Sequence, residues 1–303
     1  MSCSTRPHSV SLSARDRREY LHTPLLGGVE LLAAEYRRHV FPRHVHEHAV
    51  IGLVEAGHIR FTSGGVHADV SEGDLLFIAP GTVHEACGDG HGAWSYRAFY
   101  LTVAQWREVS AELGAAAPNG ARVVHDPALH TRAWRAHRAL VSGSCGERAF
   151  TDTVRALLAA SIDTQSRPAG DVAVSGVDAG LAHVRSALDA APTRRMSISE
   201  MAKLAGLGRF HFLHEFSRAY GVSPYAYSLN RRLIEAQRRL AAGAPISTTA
   251  QDVGFADQAH LTRHFLRMIG VTPGEYQRAY GAPIRVMRAS GRARTATSAW
   301  STR

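Results

Sequence analysis

A chain of 303 residues, 45% hydrophobic and 20% charged, is long enough for two separate cores and has the balance of an ordinary globular protein. It carries no apolar run long enough to cross a membrane and no charged-then-apolar leader, so the cytoplasm is the expected compartment and no membrane partner is expected. The net charge of +9 is unevenly placed: residues 179–281 carry 13 Lys and Arg against 7 Asp and Glu, residues 282–303 add five Arg and no acid, and residues 1–178 are slightly acidic. A basic C-terminal half is the electrostatic footprint of a partner rich in phosphate, double-stranded DNA above all.

In chain order, residues 1–25 read as a polar N-terminal arm that Pro24 and Gly27-Gly28 bring to an end. Residues 26–115 read as one domain, in which the pattern from about 29 to 101 predicts short antiparallel strands. Val50–Val54 and His58–Phe61 flank a Glu55-Ala56-Gly57 turn, Leu75–Ile78 is closed by Pro80-Gly81, and Tyr96–Val103 alternates aromatic and polar residues. Strands this short at this spacing suggest a small sandwich or barrel. Residues 116–166 read as helical: Asp126-Pro127 starts one helix, and a second from about Glu147 places Phe150, Val154, Leu157, Leu158 and Ile162 on one face. That stripe either covers the sheet or pairs with a second subunit, and a dimerisation segment is the expectation. Residues 167–177, with Pro168 and Gly170, read as a linker, and 282–303 as a basic, disordered tail. Cys3, Cys87 and Cys145 are widely spaced with no CxxC, so three reduced thiols are expected rather than a disulfide framework or a zinc site.

Residues 178–281 hold an internal repeat. Ile198-Ser199, Ala202, Gly206, Phe216, Arg218, Gly221-Val222, Pro224 and Tyr227 recur as Ile246-Ser247, Ala250, Gly254, Phe265, Arg267, Gly270-Val271, Pro273 and Tyr276. The offset is 48 residues up to the glycine and 49 after it, so the second turn has one extra residue. Each copy has helix-turn-helix grammar: a short helix, a glycine turn, and an amphipathic helix. In the first copy Phe212, Phe216 and Ala219 form a core face, leaving Arg209, Phe210, Leu213 and His214 for a DNA groove. In the second, Leu261, Phe265 and Met268 are core, and Gln258, Ala259, Thr262 and Arg263 are outward. Ser223-Pro224 starts a connecting helix that runs to about Ala242; at about 1.5 Å per residue it spans roughly 27 Å, close to one DNA turn of about 34 Å.

The run Gly254 to Phe265, followed by Gly270-Val271-Thr272-Pro273-Gly274-Glu275-Tyr276, resembles the signature of AraC/XylS-type transcription regulators over about residues 179–281. The resemblance implies an all-α reader with tandem helix-turn-helix motifs. By position it maps base contacts onto Phe210, Leu213 and His214, and onto Gln258, Ala259 and Arg263. With the neighbouring Arg209, His260 and Arg267, these make up the DNA-binding set. Gly208 replaces the usual Ser cap, and Leu213, Ala259 and His214 replace polar or Arg readers, which shifts weight toward thymine-methyl contacts in the first motif.

In the N-terminal half, Phe41-Pro42-Arg43-His44-Val45-His46 and Gly73 to His84 resemble the two motifs of cupin jelly rolls, the usual sensor of that regulator family. The overall expectation is an α+β multidomain protein: a cupin β-barrel with a helical dimerisation segment, then the reader. His44, His46 and His84 match three positions of the cupin metal set, but Val50 and Ile51 fill the region of its carboxylate. Three imidazoles could hold Zn or Fe; the missing carboxylate favours a pocket with no metal and no cofactor. That pocket would bind a small-molecule effector, with the three histidines as hydrogen-bonding groups and Trp94, Tyr96 and Phe99 as walls. The expected whole is a ligand-responsive, non-enzymatic regulator acting as a homodimer on promoter DNA, with RNA polymerase a further implied partner. A cupin metalloenzyme fused to a DNA-binding module, and an architectural binder with a vestigial barrel, are the competing classes.

Overall fold

The computed structural model describes residues 16–64, 66–162, 167–168 and 179–282. Its N-terminal half is two antiparallel sheets. β1 (Arg17–Thr23), β2 (Val29–Tyr36), β4 (Ala49–Ala56), β7 (Asp74–Ile78), β9 (Trp94–Leu101), β10 (Ala121–His125) and β11 (Arg167–Pro168) form one, in the order β1-β2-β9-β4-β7-β10-β11. The other contains β3 (Val40–His44), β5 (His58–Ser63), β6 (Val66–Ser71) and β8 (His84–Gly88), ordered β3-β8-β5-β6. Phe61 and Val70 of the smaller sheet share a buried core with Leu32, Val50, Val54 and Tyr100 of the larger one, the two-layer solution for sheets with one apolar face each.

The larger sheet is apolar on both faces, as its near-continuous runs require. Leu31, Ile51, Leu53, Phe77 and Phe99 point away from the smaller sheet and are buried under α1 (Val103–Glu112), α2 (Pro127–Val141) and α3 (Glu147–Ile162). Asp126 caps α2 by accepting from the Leu129 amide at 2.9 Å, with Pro127 in the first turn. Phe150, Val154, Leu157 and Leu158 of α3 are all buried against this face, each worth about 1.5–3 kcal/mol. The predicted stripe therefore covers the sheet.

Several expectations change. Residues 17–23 of the arm form a strand, because β1 pairs residue for residue with β2. The middle segment is not wholly helical: Ala121–His125 extends the large sheet beside β7, and Arg167–Pro168, expected as linker, pairs with it. Phe99 belongs to the helix-covered face, so it is no wall of an inner pocket. Cys145 is free and buried. The rest of the linker and residues 283–303 of the expected tail lie outside the described residues.

The reader comprises α4 (Ala179–Ala190), α5 (Ile198–Leu204), α6 (Arg209–Tyr220), α7 (Pro224–Ala241), α8 (Ile246–Asp252), α9 (Gln258–Ile269) and α10 (Pro273–Gly281). The repeat is visible in its caps. α6 and α9 both end on a left-handed glycine, Gly221 at φ 70° and Gly270 at φ 85°, and α7 and α10 both begin with a hydroxyl cap followed by proline. The first motif has its own core, with Leu181, Val184, Met201, Phe212 and Phe216 buried together. The second does not. Leu229, Leu261, Phe265, Ile269 and Tyr276 are continuous with the interior of the sandwich through Tyr20, Tyr36 and Phe41. At Gly270 a β-carbon would lie 2.5 Å from the Tyr36 hydroxyl, so this approach requires glycine.

Candidate functional site

Two surfaces carry candidate functional residues: the outward faces of α6 and α9, and the seam where the sandwich meets the reader. On α6, Phe210 is 87% exposed. Arg209 and His214 are also exposed, and Leu213 is half-buried. Phe212 and Phe216, one helical face away, are fully buried. On α9, Gln258, Ala259, Arg263 and Arg267 are exposed, while Leu261 and Phe265 are buried. An aromatic ring left in water beside arginine and histidine is unusual for a free surface and suits contact with bases or sugars. His260 is set apart, because its Nδ1 accepts from the Ala256 amide at 3.3 Å and its ring packs on Phe255 and His264. The helices also start differently. Asp257 caps α9 by accepting from the His260 amide at 2.6 Å, while Gly208 gives α6 no side-chain cap.

In the sandwich, β3 and β8 run antiparallel with His44 opposite His84, and His46 follows two residues on. Nitrogens of the three rings lie within 4.8 Å of one another. The His44 Nδ1 sits 2.6 Å from the Pro42 carbonyl and the His84 Nδ1 2.9 Å from the Thr82 carbonyl. His44 Nε2 is 3.1 Å from His46 Nε2. Burial lowers the pKa of His44 to about 4 and depresses His46 and His84 well below the usual histidine range, so all three rings are neutral near pH 7. A neutral three-nitrogen donor set with no thiolate fits a late first-row divalent ion and not Mg²⁺ or Ca²⁺.

Trp94 and Tyr96 stack on each other at 5.3 Å in the inner core, and Trp94 is buried so tightly that a β-carbon at Gly88 would lie 2.5 Å from its ring. Neither lines the cavities at the seam. A cavity of about 900 Å³ runs from Val45, His46 and Thr82 of the sandwich to Arg185, Tyr220 and Ile234 of the reader. A second, of about 250 Å³, joins His46, Glu30 and Tyr100 to Arg238, Tyr276 and Tyr280. Of the six residues expected around the effector, only His46 borders these cavities, and it borders both.

Polar contacts tie the two halves together around these cavities. Glu30, 2% exposed, accepts hydrogen bonds from Tyr20 at 2.7 Å, from Tyr276 at 2.6 Å and from Tyr280. Glu47 pairs with Arg231 at 3.0 Å and Arg238 at 2.8 Å, both on α7. Arg18 pairs with Glu275 at 2.9 Å, and the Tyr36 hydroxyl donates to the Gly270 carbonyl at 2.7 Å. The sequence reading missed Glu30, Glu47, Tyr276 and Tyr280. Their partners are 184 to 250 residues away, and no local pattern marks such pairs.

Comparison with known proteins follows the same division. Residues 26–193 match a family described as AraC-like ligand binding domain, and residues 201–279 match a helix-turn-helix domain. The chain is 32% identical over 85 residues to a probable transcriptional regulator, LumQ, of Photobacterium leiognathi, covering 28% of this chain and 34% of that protein. It thus spans about a third of the length of that relative. It is 22% identical to the arabinose operon regulatory protein of Salmonella typhimurium over 75% of this chain and 83% of that one. Among solved structures it resembles ToxT of Vibrio cholerae at a TM-score of 0.52 and 8% identity, covering 88% of this chain and 98% of that chain, a likeness of fold.

Proposed function

Because this chain belongs to the AraC-type transcription regulators, we propose that it reads promoter DNA through α6 and α9 under the control of a small effector bound in the sandwich or at its seam with the reader. The observation that carries the reading is the tandem of reader helices, each with its core face buried and the residues expected at the bases left outward. The residues proposed to meet DNA are Arg209, Phe210, Leu213 and His214 on α6, and Gln258, Ala259, Arg263 and Arg267 on α9, with His260 shaping the turn before them. The effector site is proposed around His44, His46 and His84, with Trp94 and Tyr96 behind them setting the shape of the core.

Control follows from the seam. An effector that changes the sandwich surface near His46 acts on Glu47 and Glu30, and these hold α7 and α10 of the reader. The whole protein is proposed to work in the cytoplasm as a homodimer, with RNA polymerase as a partner at the promoter. The dimer contact would use the outer faces of α2 and α3, where Arg148 and Asp152 are exposed, since the inner stripe is buried within the subunit. No helix among the described residues is long and apolar enough to cross a membrane.

The test is selection of bound sequences from random duplex DNA by the full-length protein, followed by binding to selected and scrambled duplexes with and without a panel of metabolites. A selected motif with two half-sites, and a metabolite that changes its affinity, are expected. Equal binding to all sequences would overturn the specific reader, and no response to any metabolite would favour a constitutive binder.

A further inference from the structure

We propose that Arg195 is a positioning residue of the DNA reader. It ties the loop in front of the first motif to the turn of the second, and so fixes the spacing and phase of the two base sequences that α6 and α9 read together. The inference rests on the reading of α6 and α9 as the recognition helices and adds what holds one relative to the other.

Three observations carry it. The first is a shared acceptor. The Gly254 carbonyl, in the turn between α8 and α9, accepts from Arg195 Nη2 at 2.6 Å and from Arg232 Nη1 at 3.2 Å. Arg195 stands two residues before Ser197, whose capping box starts α5 of the first motif, and Arg232 is on the connecting helix α7. One oxygen therefore joins the first motif, the connecting helix and the second motif, four residues before Gln258. A carbonyl has two lone pairs and can take both donors, and each bond is strengthened by the guanidinium charge. The second observation is close approach, and it differs between the two copies of the repeat. A β-carbon at Gly254 would lie 3.5 Å from Arg195 Nε, 3.6 Å from the Thr193 carbonyl and 3.7 Å from Arg232 Cδ. One at Gly206, the equivalent turn glycine of the first motif, meets nothing within 4 Å. The second turn is seated against the segment that starts the first motif, and the first turn is open on that side. The third is the stiffness of the acceptor. The Gly254 amide donates to the Gln251 carbonyl at 3.0 Å. The next residue, Phe255, is buried, with the Arg232 guanidinium 5.5 Å from its ring centroid and His260 edge-on at 5.3 Å. A bond to a carbonyl held in this way transmits position.

Arg195 is exposed, so a DNA phosphate is the other partner its guanidinium could take. The two roles leave different marks. A phosphate contact acts on every duplex alike. A positioning bond acts on the relation between two boxes: one inserted base pair moves them about 3.4 Å apart and turns them by about 35° about the DNA axis, and only a reader free to flex can follow.

The experiment uses the full-length protein on selected duplexes carrying both boxes at the selected spacing, or with one base pair added or removed between them. Wild type should lose on the order of 10-fold in affinity when the spacing changes, the scale of one lost base contact. Arg195→Ala should bind the selected spacing more weakly and lose no more than about twofold on the altered ones. Arg195→Lys, which keeps a cationic donor, should fall between the two, and Arg194→Ala, which removes an equal charge one residue away, should behave as wild type. Thermal unfolding identifies any variant that fails to fold. Equal spacing penalties in wild type and Arg195→Ala would overturn the proposal; if Arg195→Ala then also weakens all duplexes alike and lowers the salt slope by about one unit, Arg195 is a phosphate contact. A wild type that prefers a sequence but accepts every spacing would overturn the proposal and leave the DNA-reading function standing. Equal binding to all sequences would overturn both.

Discussion

The Tyr276 hydroxyl donates to the Glu30 carboxylate at 2.6 Å, joining the last helix of the DNA reader to the second strand of the sensor across 246 residues. Burial, followed by the Glu30 charge, raises the Tyr276 pKa far above the usual phenol value, so the hydroxyl keeps its proton and remains a donor. Glu30→Ala would leave the buried Tyr20 and Tyr276 hydroxyls, and that of the half-buried Tyr280, without their acceptor and should cost about 3 kcal/mol in urea unfolding. Hydrogen exchange of the α10 amides should rise with it. If α10 exchange is unchanged, Glu30 belongs to the sandwich alone and does not couple the domains.

Arg263 is exposed on α9, between the buried Leu261 and Phe265 in sequence, and its guanidinium can bridge O6 and N7 of a guanine. Arg263→Ala should cost about 1–3 kcal/mol on selected DNA and relax preference at one base pair. Arg278→Ala, on the exposed end of α10, should weaken all sequences alike and lower the salt slope by about one unit. Competition binding at two salt concentrations separates the two roles; an equal loss on specific and scrambled DNA would make Arg263 a backbone anchor.

The unequal caps of the reader helices give opposite predictions. Asp257→Ala removes the acceptor for the His260 amide and should cost about 1 kcal/mol, loosening the turn that carries Gln258 and Ala259. Gly208→Ser should stabilise α6 by about 0.5 kcal/mol. Gly208 sits at φ −65° and ψ 148°, which any residue adopts, and a β-carbon there meets nothing within 4 Å. Thermal unfolding of the two variants should move in opposite directions, and a loss in Gly208→Ser would show that the first turn needs the glycine for another reason.

Acid stability follows from buried neutral histidines that are not members of the three-ring cluster. Burial, then the neighbouring Arg97 charge, lowers the pKa of His137 to about 3, and burial lowers that of His39 to about 3. Above about pH 6.5 these rings are neutral folded or unfolded. Below it the unfolded chain takes up protons that the folded protein refuses, so stability is lost as pH falls from about 6.5 toward 3. His137→Gln should flatten the dependence of unfolding free energy in that window by up to about 1.4 kcal/mol per pH unit, the effect of one proton. An unchanged slope would mean that His137 is not neutral in the folded protein.

Much of the reader was legible in the sequence because its information is local. The Ser223-Pro224 helix start, the glycines at 221 and 270, and the spacing of Phe212 and Phe216 or Leu261 and Phe265 depend on neighbours within one or two helical turns. The repeat doubled that signal. The two strands beside Gly57 were legible for the same reason but their pairing was not: β4 pairs with β7 and β9, β5 with β6 and β8, so the turn at Gly57 carries the chain from one sheet to the other and closes no hairpin. The three histidines could be singled out from spacing and resemblance, but their ring orientations could not, since these are set by the Pro42 and Thr82 carbonyls.

What only tertiary structure decided is where the apolar faces and the long-range polar partners go. The α3 stripe of Phe150, Val154, Leu157 and Leu158 is equally suited to a sheet or to a second subunit, because burial of apolar area has no direction; the large sheet, apolar on both faces, claims it. Phe99 and Tyr100 are adjacent in sequence yet sit in different cores, since a strand turns successive side chains to opposite faces. Glu30 reads as one acidic residue in an apolar strand until the fold brings Tyr276 and Tyr280 to it. The residues that make two domains answer to each other are those whose partners the chain cannot announce.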